Sequence, residues 1–259
     1  MLIPLGDDNS RRRTTPFVVY GLVAANAAVW YLQLTAGEPF TYGFSAVPYE
    51  ITNGIDLTQA ASVEIQGKNF PVPQHPGPSP IQLTLLSSMF MHGGWMHILG
   101  NMLYLWIFGD QIEDELGHFK FLLFYLVCGV AAAFAQILYN PDSVIPTLGA
   151  SGAIAGVLGA YLIKHPTNSV RVLMIRYITQ MPAAVVLGFW IVIQLFSQAG
   201  TPAGTHSGVA YMAHIGGFAA GAVLILVLAR GGRKDAWAGG GRKGSGRGGR
   251  GFFSGRRGR

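Results

Sequence analysis

Charge is what this 259-residue chain has least of. Only 12% of its residues are Asp, Glu, Lys or Arg, about half the share of an ordinary soluble domain, while 50% are hydrophobic. That balance excludes a conventional water-soluble domain and points to a membrane protein. Cysteine is nearly absent as well. The single thiol, Cys128, lies in an apolar run, which excludes an intrachain disulfide framework and leaves the redox compartment undetermined. No carboxylate occurs within 148–163 or 209–229, and no Lys or Arg within "NPDSVIPT" or "QAGTPAGTHSG". No polar stretch is long enough to build a soluble core of useful size.

What is present is a set of apolar segments, at roughly 16–36, 94–109, 119–139, 148–163, 181–197 and 209–229, which predict six membrane helices. The first follows Arg11, Arg12 and Arg13. Its run is longer than the apolar core of a cleaved leader, so it reads as a span. Basic residues favour the cytoplasmic side, which places residues 1–15 there and, after six crossings, the tail as well. Lys164, Arg171 and Arg176 fit a cytoplasmic connection between the fourth and fifth helices, whereas the two Lys- and Arg-free loops fit the outer face. The expected organisation is a six-helix domain over 16–229 with an outer loop at 37–80, followed by a disordered basic Gly/Arg-rich tail at 230–259. The expected setting is the plasma (inner) membrane, with the chain an integral multi-pass protein.

Polar side chains inside these spans carry the functional signal, because such groups are costly in hydrocarbon. His97 and Asn101 share one face near the start of the second helix, being spaced i,i+4. Ser151 opens the fourth helix and His214 lies near the start of the sixth. All three helices enter from the outer side, so the four groups fall at similar depth. The fourth segment, Leu148 to Ile163, is about 24 Å long against a hydrocarbon core of about 30 Å. Its outer end should therefore lie below the surface, at the floor of a wet cavity, with the unpaired N–H groups of a helix terminus beside Ser151. Gly152 and Gly156 on one helix, and Ala213, Gly217 and Gly221 on the other, recur every four residues and permit close backbone approach. If those faces meet, His214 can take the Ser151 proton as general base. With no carboxylate in either helix, the expectation is a Ser–His dyad and no Asp-completed triad.

Three separated motifs, "HGGWMHILGN", "GASG" and "AHIGG", together with Gly109, Glu113 and Gly117 in "GDQIEDELG", resemble those of the rhomboids, a family of intramembrane serine proteases. The resemblance covers roughly 16–229 and implies an all-α six-helix membrane bundle. It implies that Ser151 is the nucleophile and His214 its base, and that His97 and Asn101, with the Ser151 backbone N–H, hold the oxyanion. Gly149 would be the first glycine of G-x-S-G, Gly217 would let the histidine helix sit against the serine helix, and Glu113 would be a structural link. It further implies a small residue before the scissile bond. Two features depart from the pattern. Ala155 stands where relatives often carry an aromatic beneath the histidine, and loop 37–80 lacks their Trp-Arg pair.

A serine alone in a Gly/Ala helix reads as a packing residue, and a lone membrane histidine as a helix–helix contact or part of a proton path. The combination points instead to an intramembrane serine endopeptidase acting on transmembrane protein substrates, with no cofactor and no metal. A substrate helix must unwind to present its carbonyl, so Gly or Pro near the cut should favour cleavage. The competing classes are a proteolytically inactive rhomboid-like chaperone or quality-control factor, which intact Ser151 and His214 disfavour, and a small transporter, for which no repeated half is visible. His92 is expected to hydrogen-bond locally beside the site. His118 and His165 fall on the opposite side, and His206 lies in an outer loop. The tail, with its Arg-Gly repeats, Phe252 and Phe253, has the composition of single-strand nucleic-acid binders. Its juxtamembrane place favours contact with anionic lipid in the bilayer, making nucleic acid an unlikely partner.

Overall fold

A computed structural model describes residues 2–65, 68–200 and 209–229. The tail from 230 onward and His206 lie outside the described residues. In chain order the elements are β1 (Leu2–Asp7), α1 (Phe17–Ala36), α2 (Glu38–Gly43), α3 (Pro48–Asn53), β2 (Ala61–Ile65), β3 (Lys68–Val72) and α4 (Thr84–Ser87), the last flanked by single 3-10 turns. There follow α5 (Trp95–Leu116), α6 (His118–Tyr139), α7 (Ser151–Lys164), β4 (Ser169–Met174), β5 (Tyr177–Pro182), α8 (Ala183–Ala199) and α9 (Tyr211–Leu228).

Each of the six apolar segments forms a helix. Three of them, α1, α6 and α9, are long and apolar enough to cross a membrane, while α7 and α8 are apolar but shorter. Their outward faces keep large apolar side chains such as Trp106, Leu138, Phe189, Phe196 and Val227 exposed, as lipid-facing helices do. The centre is α7, which touches α5, α6, α8 and α9 and buries every residue from Gly152 to Tyr161. Small side chains make that position possible.

Two boundaries differ from the sequence expectation, each for a visible reason. Helix α7 begins at Ser151 rather than Leu148, because Gly149 has φ +126°, a conformation outside any helix. Helix α5 runs on to Leu116, through the acidic stretch that reads as a link. Its acids are partnered. Arg12 donates to Asp110 at 2.7 Å, and the N–H groups of Val18 and Val19 donate to the two oxygens of Glu113 at 2.9 and 2.8 Å. Gly117, at φ +76°, ends the helix by donating its N–H to the Glu113 carbonyl. Glu113, expected to tie the second and third membrane helices, holds the first against the second: it fixes the amino terminus of α1 against the end of α5, because its two oxygens accept the N–H groups of Val18 and Val19.

The polar connections are more ordered than the sequence suggests. At the Lys164 end of the bundle, β1 pairs with β4 and β4 with β5, forming an antiparallel sheet in the order β1-β4-β5. Alternation along β4 sends Val170 and Val172 into the core. Residues 37–80 supply α2, α3 and the β2–β3 hairpin. This region is tied to the segment before α7, since Ala46 and Thr147 exchange both backbone hydrogen bonds, at 3.0 and 2.7 Å.

Candidate active site

Ser151 is the first residue of α7, and the loop leading to it is fixed from two sides. The Gly149 N–H donates to the Ser88 carbonyl at 2.8 Å, and the Ala46–Thr147 pair anchors the preceding turn. Gly149 also needs to lack a side chain. A Cβ there would come within 2.7 Å of His97 Nε2. The first bond within the helix is made by the Ile154 N–H to the Ala150 carbonyl at 3.0 Å, so the N–H groups of Ser151 and Gly152 precede the helical ladder.

His214 lies in the first turn of α9, and its Nε2 is 2.8 Å from Ser151 Oγ. Backbone contact between α7 and α9 sets that distance. A Cβ on Gly217 would overlap the Gly152 carbonyl oxygen, one on Gly221 the Gly156 carbonyl oxygen, and one on Gly159 the Phe218 carbonyl oxygen. Larger residues at these points would push the hydroxyl and the imidazole apart. Beside the pair is a cavity of about 40 Å3, whose lining includes Ala132, Ala133, Gln136, Gly149, Ser151 and Ala213. It can hold water or a small side chain.

The residues on and before α5 approach from the other side. His97 Nδ1 accepts the Gly93 N–H at 3.3 Å, which leaves the ring proton on Nε2, the atom beside Gly149. Asn101, one turn later, donates from Nδ2 to His92 Nε2 at 3.0 Å, and His92 Nδ1 donates to the Phe90 carbonyl at 3.2 Å. The His92 backbone is in turn gripped by Gln33 of α1, which accepts its N–H and donates to its carbonyl, both at 2.9 Å. His92 therefore sits beside the site as the holder of the Asn101 amide, and Gln33 holds His92.

Ser151, His214, His97, Gly149, Gly152 and Gly217 are thus brought together, with Asn101 and His92 adjoining. Glu113 is not among them. It lies at the far end of α5, where His118 contacts it at 2.5 Å and Lys164 pairs with neighbouring Glu115 at 3.3 Å. His165 is at that end too, 3.9 Å from Glu115. Among the described residues, no three or more His, Cys, Asp or Glu side chains converge as metal ligands would.

Sequence reasoning misses two contributors from α8. Gln194 Oε1 is 2.8 Å from His214 Nδ1, and the Trp190 ring lies 5.8 Å from the imidazole, tilted by 37°. The signal available was a Trp and a Gln spaced i,i+4 within an apolar helix. Attention to the three helices that begin at the site passes over it, since α8 ends there. The pair also bears on Ala155, because an aromatic reaches the histidine from α8 instead of α7.

A family model for the rhomboid domain matches residues 81–231. RHOMBOID-like protein 2 of Arabidopsis thaliana is 36% identical over 144 residues, which are 56% of this chain and 41% of that protein. RHOMBOID-like protein 5 of the same plant is 32% identical over 144 residues, 56% of this chain and 43% of that protein. Rhomboid protease GluP of Bacillus subtilis (strain 168) is 34% identical over 143 residues, 54% of this chain and 25% of that protein. The chain spans between 25% and 54% of the length of these curated relatives and of the chloroplastic rhomboid-like protein 11 of Arabidopsis thaliana. A rhomboid-domain match over more than half of its length, on a bundle of apolar helices, makes this chain a member of the rhomboid family.

Proposed function

We propose that this rhomboid is an intramembrane serine endopeptidase that hydrolyses peptide bonds in or near transmembrane segments of other proteins. The observation that carries the reading is the 2.8 Å separation of Ser151 Oγ and His214 Nε2, beside a small cavity in an apolar bundle. Oγ attacks the scissile carbonyl carbon as Nε2 takes the hydroxyl proton. The oxyanion is received by the Ser151 N–H, by the Nε2–H of His97 and by the Asn101 amide, all preorganised donors. As the C–N bond breaks, His214 returns the proton to the leaving amine, and an acyl ester remains on Ser151. Water then attacks the ester with His214 again as base. The small volume of the cavity, about 40 Å3, favours a small residue before the cut.

In this reading the Ser151 end of the bundle faces outward and both termini are cytoplasmic, so that six helices cross the plasma (inner) membrane. The basic tail meets anionic lipid. The decisive experiment is fluorophosphonate labelling of the detergent-solubilised protein as wild type, Ser151→Ala and His214→Ala. Labelling is expected in the wild type alone. A Ser151→Ala protein that still labels, or a His214→Ala protein that still cleaves a membrane substrate, removes the proposal.

A further inference from the structure

Gln194 is a polar side chain to which the hydrolytic steps above assign no role. It is only 7% exposed and sits within the apolar run "FWIVIQLFSQ", where an amide without partners is costly. Both ends of that amide are engaged. Nε2 donates to the Trp190 carbonyl, one turn back, at 3.3 Å, and Oε1 is 2.8 Å from His214 Nδ1. The first contact decides the second. With its NH2 turned to a carbonyl, the amide presents only an acceptor to the imidazole. An oxygen at Nδ1 keeps the ring proton on that nitrogen, so Nε2 carries a lone pair 2.8 Å from Ser151 Oγ.

We infer that Gln194 is a positioning residue for His214, holding the imidazole in the Nδ1–H tautomer that can take the serine proton. The inference rests on the hydrolytic reading of Ser151 and His214. In it an amide takes the place that a carboxylate holds in a Ser–His–Asp set, as the asparagine does in Cys–His–Asn proteases. The choice suits the surroundings. A carboxylate would stabilise the imidazolium, but as an anion in an apolar interior it would be expensive whenever the ring is neutral. A neutral amide orients the ring without that cost. Trp190 supports the same ring from one turn earlier on α8, and it is held in turn against Phe218 of α9, centroids 6.1 Å apart.

The test reads the tautomer directly. The full chain in detergent is labelled with 15N only in its seven histidines, and His214→Ala assigns the His214 signals. The wild type is expected to show a protonated Nδ1 and an unprotonated Nε2 at neutral pH. Gln194→Met keeps the side-chain length and removes the acceptor, and it should give a mixture of tautomers. The fluorophosphonate labelling rate should then fall about 10- to 100-fold, as when an orienting partner is lost. Gln194→Glu keeps an acceptor and should recover much of that rate. A wild-type His214 protonated on Nε2 overturns the inference with no variant needed, and so does a Gln194→Met protein with unchanged tautomer and unchanged rate. If Ser151 never labels while the Nδ1–H tautomer still depends on Gln194, the hydrolytic reading fails and the positioning role survives.

Discussion

Gly217 packs so tightly on Gly152 that a β-carbon at 217 would overlap the Gly152 carbonyl oxygen. One of these glycines follows Ser151 directly and the other lies three residues beyond His214, so the helix contact and the chemical contact are a single piece of geometry. The oxygen is backbone and the β-carbon is fixed directly to the backbone, so no side-chain rotation relieves the overlap. Gly217→Ala should therefore cost about 1–3 kcal/mol and lower the thermal midpoint in detergent. Labelling of Ser151 should fall further than stability alone explains. Gly188→Ala, on an α8 face with nothing within 4 Å, is the control and should be neutral or stabilising by up to about 1 kcal/mol. Equal behaviour of the two variants would show that the α7–α9 contact yields easily.

Glu113 makes the opposite kind of contact, polar and far from the cavity. Fully buried, it accepts the Val18 and Val19 N–H groups and meets His118. Glu113→Ala leaves two helix-terminal donors without partners in an apolar setting. The expected loss is about 1–3 kcal/mol of stability. The residual folded protein should still label at Ser151, since Glu113 acts on the docking of α1. Labelling abolished in protein that melts normally would contradict that separation.

Two carboxyls outside the spanning helices give a pH dependence with a definite sign. Burial pushes Glu50 of α3 up to about 7, with nearby Asp56 adding to the effect against one hydrogen bond from Leu57. Burial likewise pushes Asp7 of β1 up to about 6, although the Tyr161 hydroxyl donates to it at 2.5 Å. Both groups hold a proton more tightly in the folded chain than in the unfolded one. Their stabilising contribution is thus complete below the ordinary carboxylate range and is lost as pH rises through about 6 to 7. Thermal midpoints should be higher near pH 5 than near pH 7.5, and Asp7→Asn with Glu50→Gln should flatten that difference. An identical slope in the double variant would mean that other groups set it.

The apolar helices are legible in the sequence because each forms on a largely apolar run, and small residues four apart mark the faces that bring Ser151 to His214. Local pattern fails where the partner is distant. The end of α5 looks like a link until Arg12 and the α1 terminus, about a hundred residues earlier, are seen to hold its acids. The strand β1 pairs with a hairpin about 160 residues away, and nothing in "LIPLGD" announces it. At the site the same reasoning separates His97, recognisable by motif, from Gln33 and Gln194, single glutamines whose value lies wholly in what faces them.

Ala155 is where motif and structure pull apart most usefully. It is completely buried, and the aromatic beside His214 is Trp190 from the neighbouring helix, its ring 5.8 Å from the imidazole. An aromatic pair adds about 0.5–1.5 kcal/mol beyond its burial, so Trp190→Ala should slow Ser151 labelling about 3- to 10-fold through a less fixed imidazole. Restoring the missing ring by Ala155→Phe should not help. Ala155 is enclosed by packed neighbours, and overpacking there should cost about 1–3 kcal/mol in thermal stability without speeding labelling. Faster labelling of Ala155→Phe, or full-rate labelling of Trp190→Ala, would show that the histidine does not depend on the ring from α8. Labelling rates and melting midpoints of the two variants, measured side by side, decide between the helices.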